Sequence, residues 1–158
     1  MYKMEIRSIT GMTLSEVEAI CTSIGEPAYR AKQILSWIYD KGATTFDEMS
    51  NLSKNFRKQL EDTYQAFQTK IDTITQTADG TEKFLIHLFD ENVIECVLLR
   101  EGRKITACVS TQVGCAMACR FCASGVLGFE RNLTAGEIVE QALHVKKHLR
   151  PDERLTNI

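Results

Sequence analysis

The sequence predicts a fold between the α+β and α/β classes, in which helices, antiparallel strands and one βα unit follow in that order. Apolar residues recur at helical spacing up to about residue 66 and then alternate with polar residues. A last strand leads into a loop and a helix, as in the first βα unit of a parallel barrel or open sheet. We therefore predict a small helical domain over residues 1–66, an antiparallel meander over 67–110, and the start of an incomplete barrel over 111–158.

The first predicted helix begins at a capping box formed by Thr13 and Glu16 and ends near Gly25. In such a box the threonine hydroxyl accepts a backbone N–H three residues later, and the glutamate binds back to the threonine N–H. Pro27 suits the first position of a second helix, which we expect to stop at Gly42.

A second capping box at Thr45–Glu48 predicts a short turn, and a third helix should follow through Phe56, Leu60 and Tyr64. Helices this short do not stand alone, so we expect them to pack into a small bundle. Three aromatic residues should lie in its core rather than stack on nucleic-acid bases, and they are Trp37, Phe46 and Phe56.

The meander should contain four strands, because residues around 71–75 alternate in polarity and Asp79-Gly80 is a strong hairpin signal. Two further apolar strands are expected at 84–89 and 93–99, and a fourth leads up to residue 110. Glu95 interrupts the third strand. Such a residue lies by default on the solvent face of a sheet.

A third capping box, Thr134–Glu137, begins the last predicted helix, which should run to about Leu149. His144 and His148 are spaced to bind a metal, but without a third ligand we interpret them as helix-surface residues. The apolar stripe expected to face the core consists of Ile138, Val139, Ala142, Leu143 and Val145.

Composition is that of a globular protein, with 158 residues, of which 44% are hydrophobic and 25% charged. Residues 1–99 carry 10 basic and 15 acidic side chains, whereas residues 100–158 carry 9 and 6, so an anionic partner would approach the second part. No apolar run approaches a membrane span, and the N-terminus lacks a secretion signal. We therefore expect no membrane contact and a cytoplasmic protein.

Three cysteines, Cys115, Cys119 and Cys122, follow the spacing C-x3-C-x2-C. Thiolates of this kind hold cubane iron–sulfur clusters, and three from one loop leave the fourth iron open to a small molecule. A zinc site that adds Cys108 as fourth ligand is a weaker alternative, because zinc sites usually pair two separate knuckles. The interpretation of these cysteines as buried inert thiols is the weakest of the three.

This spacing is the cysteine signature of radical S-adenosylmethionine (SAM) enzymes, and Phe121 resembles the aromatic residue that they place beside the SAM adenine. Three longer blocks, 108–122, 128–134 and 137–141, resemble the radical-SAM RNA methyltransferases that act on carbon 2 of adenine. Residues 25–53 resemble the small helical RNA-binding domain of the same family. The resemblance covers essentially the whole chain.

The resemblance implies two cofactors, a 4Fe-4S cluster and SAM, and two substrates, 23S ribosomal RNA and, in many bacteria, transfer RNA. It also implies an external electron donor of the flavodoxin or ferredoxin type. The cluster ligands would be Cys115, Cys119 and Cys122, and Phe121 would contact SAM.

Two further residues match catalytic positions of the family. Glu95 matches a strand glutamate assigned as proton acceptor, which replaces the solvent-face expectation by an inward carboxylate. Cys108 matches a second catalytic cysteine, which forms a disulfide as a covalent protein–RNA adduct resolves. Cys21 and Cys96 are interpreted as packing residues, and Arg131 has no counterpart.

Five basic residues of the helical domain are expected to contact RNA phosphates, and they are Arg30, Lys32, Lys54, Arg57 and Lys58. The chain ends as it enters the expected second barrel strand, without the family's Gly-Glu-Pro motif and methyl-carrying cysteine. We therefore expect a fragment of a longer enzyme that completes no catalytic cycle by itself. The alternatives are a carbon-8 adenine methyltransferase, an RNA-binding module with structural zinc or a structural cluster, and a redox or cluster-carrier protein.

Overall fold

The computed structural model describes residues 7–126 and 128–158. Contacts between residues divide the chain into two compact units, Met1–Gln68 and Thr69–Ile158. The first unit holds the predicted helical domain, and the second holds both the meander and the segment that carries the cysteines.

Over the described residues 7–68, the first unit contains three α-helices, a single 3-10 turn and one short parallel strand pair. The predicted capping box is present, because the Thr13 hydroxyl accepts the Glu16 N–H and the Thr13 N–H donates to the Glu16 carboxylate at 2.7 Å. The elements are β1 (Arg7–Ser8), α1 (Leu14–Ser23), α2 (Arg30–Tyr39), the 3-10 turn (Phe46–Glu48), α3 (Lys54–Glu61) and β2 (Tyr64–Gln65).

Two boundaries in this unit differ from the prediction. The second helix begins at Arg30, because Pro27 opens a separate turn in which its carbonyl accepts the Arg30 N–H at 3.0 Å. Tyr64 was predicted in the third helix and instead pairs in parallel with Arg7. Strand pairing is a contact between distant parts of the chain, which helical periodicity cannot reveal.

The core of the first unit is apolar, as predicted. Phe46 and Phe56 are buried within it. Trp37 is only half-buried, so its predicted core position is wrong. The Lys41 ammonium makes a cation–π contact with its ring, 3.7 Å from the centroid, and its indole N–H donates to Asn51.

The second unit is built on the four-stranded antiparallel meander that the alternation predicted. Its strands follow the order β3-β4-β5-β6, and Gly80 takes a φ of +86° in the predicted hairpin. That left-handed conformation suits glycine, which has no Cβ. The strands are β3 (Lys70–Gln76), β4 (Glu82–His87), β5 (Val93–Glu101) and β6 (Lys104–Cys108).

The segment after the meander is more structured than the predicted loop. Two short strands pair in antiparallel fashion on either side of the cysteines, and a one-turn helix lies between them. The elements are β7 (Gln112–Gly114), α4 (Ala123–Val126), β8 (Phe129–Asn132) and α5 (Ala135–Lys147). The α5 helix begins at the predicted capping box.

The end of the chain returns to the sheet beside β6. Thr106 and Asn157 form a parallel bridge, and the Ala107 N–H donates to the Asn157 carbonyl at 3.0 Å. A strand, a helix and a parallel return form a βαβ connection, so the predicted βα unit is present. That it begins a barrel stays a prediction.

One face of the meander is apolar and the other is polar. Strand residues such as Phe84, Cys96 and Leu98 form the core of the unit together with Val145 of α5. Neighbouring positions on the strands, among them Glu95 and Cys108, are exposed. In the described parts of the chain we find no helix with the length and hydropathy needed to cross a membrane.

Candidate metal centre

The three motif cysteines lie on one loop, residues 115–128, which we call the cysteine loop. Strands β7 and β8 pair at its base and form what we call the neck. The Cys115 N–H donates to the Gly128 carbonyl at 2.8 Å, which closes the loop directly above the neck. At Gly114, φ is +71° and an added Cβ would lie 1.9 Å from the Gly128 oxygen, so this crossing requires glycine.

The second and third cysteines share one tight turn. The Cys122 N–H donates to the Cys119 carbonyl at 3.1 Å, and Ala118 before them has a φ of +48°. Helix α4 then packs against this turn through Gly125, where an added Cβ would approach the Cys119 oxygen to 2.7 Å. The backbone around these two thiols is therefore fixed by close contacts.

The Cys122 thiol lies beside two backbone N–H groups. Its sulfur accepts the backbone N–H groups of Gly125 and Ser124, which lowers the pKa of the thiol below its usual value. Hydrogen bonds that favour the charged form act in this way, and the thiolate is the form that binds metals.

The donor set fits an iron–sulfur cluster, because it consists of three partly exposed thiols within eight residues. Across residues 7–126 and 128–158, however, no three Cys, His, Asp or Glu side chains are arranged as ligands of one ion. The loop thus supplies the ligands without a closed ligand set. Phe121 beside them is 94% exposed.

Arg131 of β8 is the central residue of an ionic network that connects the neck to the β4–β5 turn and to α5. Its guanidinium donates to Asp90 in the β4–β5 turn at 2.6 Å and to both carboxylate oxygens of Glu137 at 2.9 and 2.7 Å. The hydrogen bonds that Arg131 donates to Glu137, and to a lesser extent the one to Asp90, raise the pKa of Arg131. The hydrogen bond from Arg131 also lowers the pKa of Asp90.

Helix α5 buries polar side chains toward the neck and the sheet in addition to members of the predicted apolar stripe, of which Val145 lies in the core and Ile138 packs against it. Glu137, Glu140, Gln141 and His144 are all buried. His144 was predicted on the surface, but its Nε2 atom lies 2.9 Å from the Thr69 hydroxyl, and burial lowers its pKa to about 4. His148 is exposed, as predicted.

Glu95 and Cys108 lie on the same face of the meander. Val97 pairs with Cys108, and Glu95 is two residues before Val97 on the same strand, so the two side chains are diagonal neighbours. Glu95 is not inward in this unit, because its side chain is 57% exposed and pairs with Lys83 at 3.0 Å. The expected inward carboxylate is therefore corrected to an exposed one.

The remaining cysteines agree with the predicted packing roles. Cys21 and Cys96 are buried free thiols. Burial raises the pKa of both, that of Cys96 to about 12. Cys108 is exposed and also free, so its predicted disulfide is not formed in this structure.

Comparison with known proteins identifies the first unit. Residues 8–66 match the family described as ribosomal RNA large subunit methyltransferase N-terminal domain. They belong to this domain family.

The similarity extends over almost the whole chain. The chain is 48% identical to the probable dual-specificity RNA methyltransferase RlmN of Rhodopirellula baltica, over 85% of this chain and 36% of that protein. It is 46% identical to the corresponding protein of Alkaliphilus oremlandii, over 98% of this chain and 45% of that protein. The crystal structure of a radical SAM methyltransferase from Sphaerobacter thermophilus superposes with a TM-score of 0.91 at 40% identity, covering 96% of this chain and 45% of that one.

These similarities confirm the family resemblance inferred from the sequence. They also show that this chain spans less than half of the length of the relatives it matches. The close superposition shows that both units have the folds found in a radical SAM methyltransferase.

Within the methyltransferase N-terminal domain, the five predicted phosphate contacts divide into two groups. Arg30 pairs with Glu26 at 3.4 Å, and Arg57 lies 3.7 Å from Asp47 and is largely buried. The other three side chains are exposed and available to a polyanion, and they are Lys32, Lys54 and Lys58.

Sequence reasoning missed the residues that hold the site in place. Arg131 was left without a role, and Gln141 was noted only within a block of family resemblance. A signal was available for Glu137, since it is the capping glutamate of α5 and lies six residues after an arginine. No local pattern indicated that Gln141 binds the main chain of Ser110.

Proposed function

We propose that this chain is part of a radical-SAM RNA methyltransferase that methylates carbon 2 of adenine in 23S ribosomal RNA and in transfer RNA. The observation that carries the proposal is the C-x3-C-x2-C set on one loop closed by the β7–β8 neck. The relatives named RlmN support the RNA substrate, and the Sphaerobacter neighbour supports the radical-SAM class.

In this proposal Cys115, Cys119 and Cys122 hold a 4Fe-4S cluster. When bound, the cluster and SAM supply a 5′-deoxyadenosyl radical, with electrons from a cytoplasmic donor of the flavodoxin or ferredoxin type. Phe121 is exposed beside the third cysteine, where an adenine ring could stack on it. The lowered pKa of Cys122 favours the thiolate that binds iron.

Glu95 and Cys108 take the acid–base and thiol roles on the exposed face of the meander. Glu95 accepts a proton from the reacting adenine, and Cys108 supplies the sulfur that resolves a covalent protein–RNA adduct. Their diagonal placement on adjacent strands supports this assignment, since both side chains can contact the same base. Lys83 lies 3.0 Å from the Glu95 carboxylate and is exposed beside it on the same face of the meander.

The cluster is tested by anaerobic reconstitution of the chain with iron and sulfide. Wild-type protein should be brown, whereas Cys115→Ala, Cys119→Ala and Cys122→Ala should lose most of their iron because two thiolates cannot anchor a cubane. Cys108→Ala is the matched control and should retain iron. A colourless chain that binds zinc through Cys108 would establish the structural-zinc alternative instead.

RNA contact by the N-terminal domain is tested with its exposed lysines. Replacing Lys32, Lys54 and Lys58 by alanine should weaken binding to an adenine-containing RNA hairpin, and the loss should shrink at high salt because phosphate contacts release counterions. The same three positions changed to arginine keep the charge and should bind like wild type. Equal binding by the alanine and wild-type chains would remove these lysines from the RNA surface.

A further inference from the structure

The α5 helix carries an unusual set of buried side chains for a helix on a small sheet. Glu137 and Gln141 are 1% and 0% exposed and lie one helical turn apart, hence on the same face. Buried carboxylates and amides are costly unless they are hydrogen-bonded. Their partners therefore indicate why these residues are polar.

Gln141 binds the chain just before the neck. Its amide oxygen accepts the Ser110 N–H at 2.8 Å, and its amide nitrogen donates to the Ser110 carbonyl at 2.9 Å. The side chain thus takes the place of a neighbouring strand at this residue. Ser110 in turn donates its hydroxyl to the Glu95 carbonyl at 2.7 Å, which ties the same point to β5.

Glu137 binds the other side of the neck through Arg131. The carboxylate accepts two guanidinium hydrogen bonds from Arg131 and one from the Thr134 N–H at 2.8 Å. Arg131 lies opposite Val113 in the β7–β8 pair. One turn of α5 is therefore hydrogen-bonded to the chain on both sides of the cysteine loop, to Ser110 before it and to Arg131 after it.

We propose that Gln141 and the Arg131–Glu137 pair are positioning residues that fix both ends of the cysteine loop, so that its three thiols meet an iron–sulfur cluster as one set. The inference rests on the proposed cluster site for its purpose. The restraint of the loop itself follows from the contacts alone.

Arg100 provides a matched comparison within the same unit. It also joins two carboxylates, Glu82 at 2.8 Å and Glu153 at 2.7 Å, and donates to the Gly80 carbonyl. Among the described residues its partners lie in the β3–β4 turn, in β4 and after α5, and none belongs to the neck. A variant of Arg100 therefore removes a similar ionic network from the second unit while leaving both restraints of the cysteine loop intact.

The first measurement is amide hydrogen exchange of the metal-free chain under reducing conditions. Gln141→Leu and Arg131→Met should each raise exchange across residues 111–133 by about tenfold or more, since buried hydrogen bonds are lost there. Arg100→Met should leave that segment unchanged within about twofold. Exchange in 111–133 equal to that of Arg100→Met would overturn the proposal.

The second measurement is the rate of iron loss to a chelator after anaerobic reconstitution, at a temperature where all variants are folded. Gln141→Leu and Arg131→Met should lose iron about tenfold faster than wild type and Arg100→Met, because a mobile loop presents its thiols separately. Arg131→Lys keeps one ion pair, so its rate of iron loss should be intermediate. This variant provides the test if Arg131→Met does not fold. Iron loss at the wild-type rate in every variant would refute the positioning role.

The two proposals fail in different ways. A wild-type chain that holds no iron but shows the expected exchange pattern refutes the cluster site and keeps the restraint of the loop. If the wild-type chain holds iron, and the variants match it in both hydrogen exchange and rate of iron loss, the cluster site is kept and the positioning role is refuted.

Discussion

Two helices of this protein begin with the same motif and use it differently. In α1, Thr13 and Glu16 form a capping box on the surface, and hydrogen bonds from the Thr13 side chain and backbone lower the pKa of Glu16. In α5, Thr134 and Glu137 form the same box, but Glu137 is buried and also binds Arg131. The motif thus fixes where each helix begins and leaves open what else its glutamate does.

The electrostatics of the two glutamates show the difference. Burial alone would raise the pKa of Glu137, yet the hydrogen bonds from Arg131 and the Thr134 N–H lower it. Glu16 needs only its local partners, because water solvates it. A capping glutamate becomes part of a site when a tertiary cation replaces that water.

The largest difference between the boxes is expected when each glutamate is neutralised. Glu137→Gln should lower the stability of the second unit by about 3 kcal/mol, since removing one partner of a buried ion pair leaves the other poorly compensated. Residue-resolved hydrogen exchange in α5 measures this loss without assuming that both units unfold together.

Glu16→Gln is the control for the same chemical change at an exposed box. It should alter exchange in α1 far less, because solvent screens the charge and the amide retains the backbone hydrogen bond. If both substitutions had the same small effect, the contrast between the two helices would be wrong.

Local signals in the sequence were sufficient for most of the fold. Capping boxes at Thr13 and Thr134 set two helix starts, and Asp79-Gly80 with alternating polarity set the meander. The strand at Tyr64 was missed because its partner, Arg7, lies at the other end of the unit. Pairings of this kind are tertiary and carry no local period.

A second test concerns the buried polar face of α5 and its dependence on pH. His144 has a pKa of about 4 in the folded protein because it is buried, whereas an unfolded histidine titrates near 6.5. The unfolded chain therefore takes up the proton first as pH falls. Stability should drop by about 2 kcal/mol between pH 7 and pH 5 and level off below pH 4.

His144→Gln should flatten this profile, since glutamine does not titrate and can still bond to the Thr69 hydroxyl. His148→Gln is the matched control, because that residue is exposed one turn later, at the C-cap of the same helix. A profile equally steep in the His144 variant would assign the pH dependence to other groups of the unit.

The candidate site was predicted less completely than the fold. Spacing alone predicted Cys115, Cys119 and Cys122 as metal ligands, and the structure places all three on one loop. Their role as ligands stays a prediction. The burial of Glu137, Gln141 and His144 was not foreseen, since a helical pattern marks polar residues as exposed. Glu95 shows the opposite error, because the family resemblance placed inward a side chain that this unit leaves in solvent.

The smallest expected difference between the two boxes lies in their threonines. Each hydroxyl acts within its own helix turn, the Thr13 hydroxyl on the Glu16 N–H and the Thr134 hydroxyl on the Glu137 N–H. Thr13→Ala and Thr134→Ala should therefore cost about 1 kcal/mol each, as N-cap substitutions do. Hydrogen exchange in the first turns of α1 and α5 measures both losses. A much larger loss at Thr134 would mean that the cap itself, and not only its glutamate, belongs to the network that holds the cysteine loop.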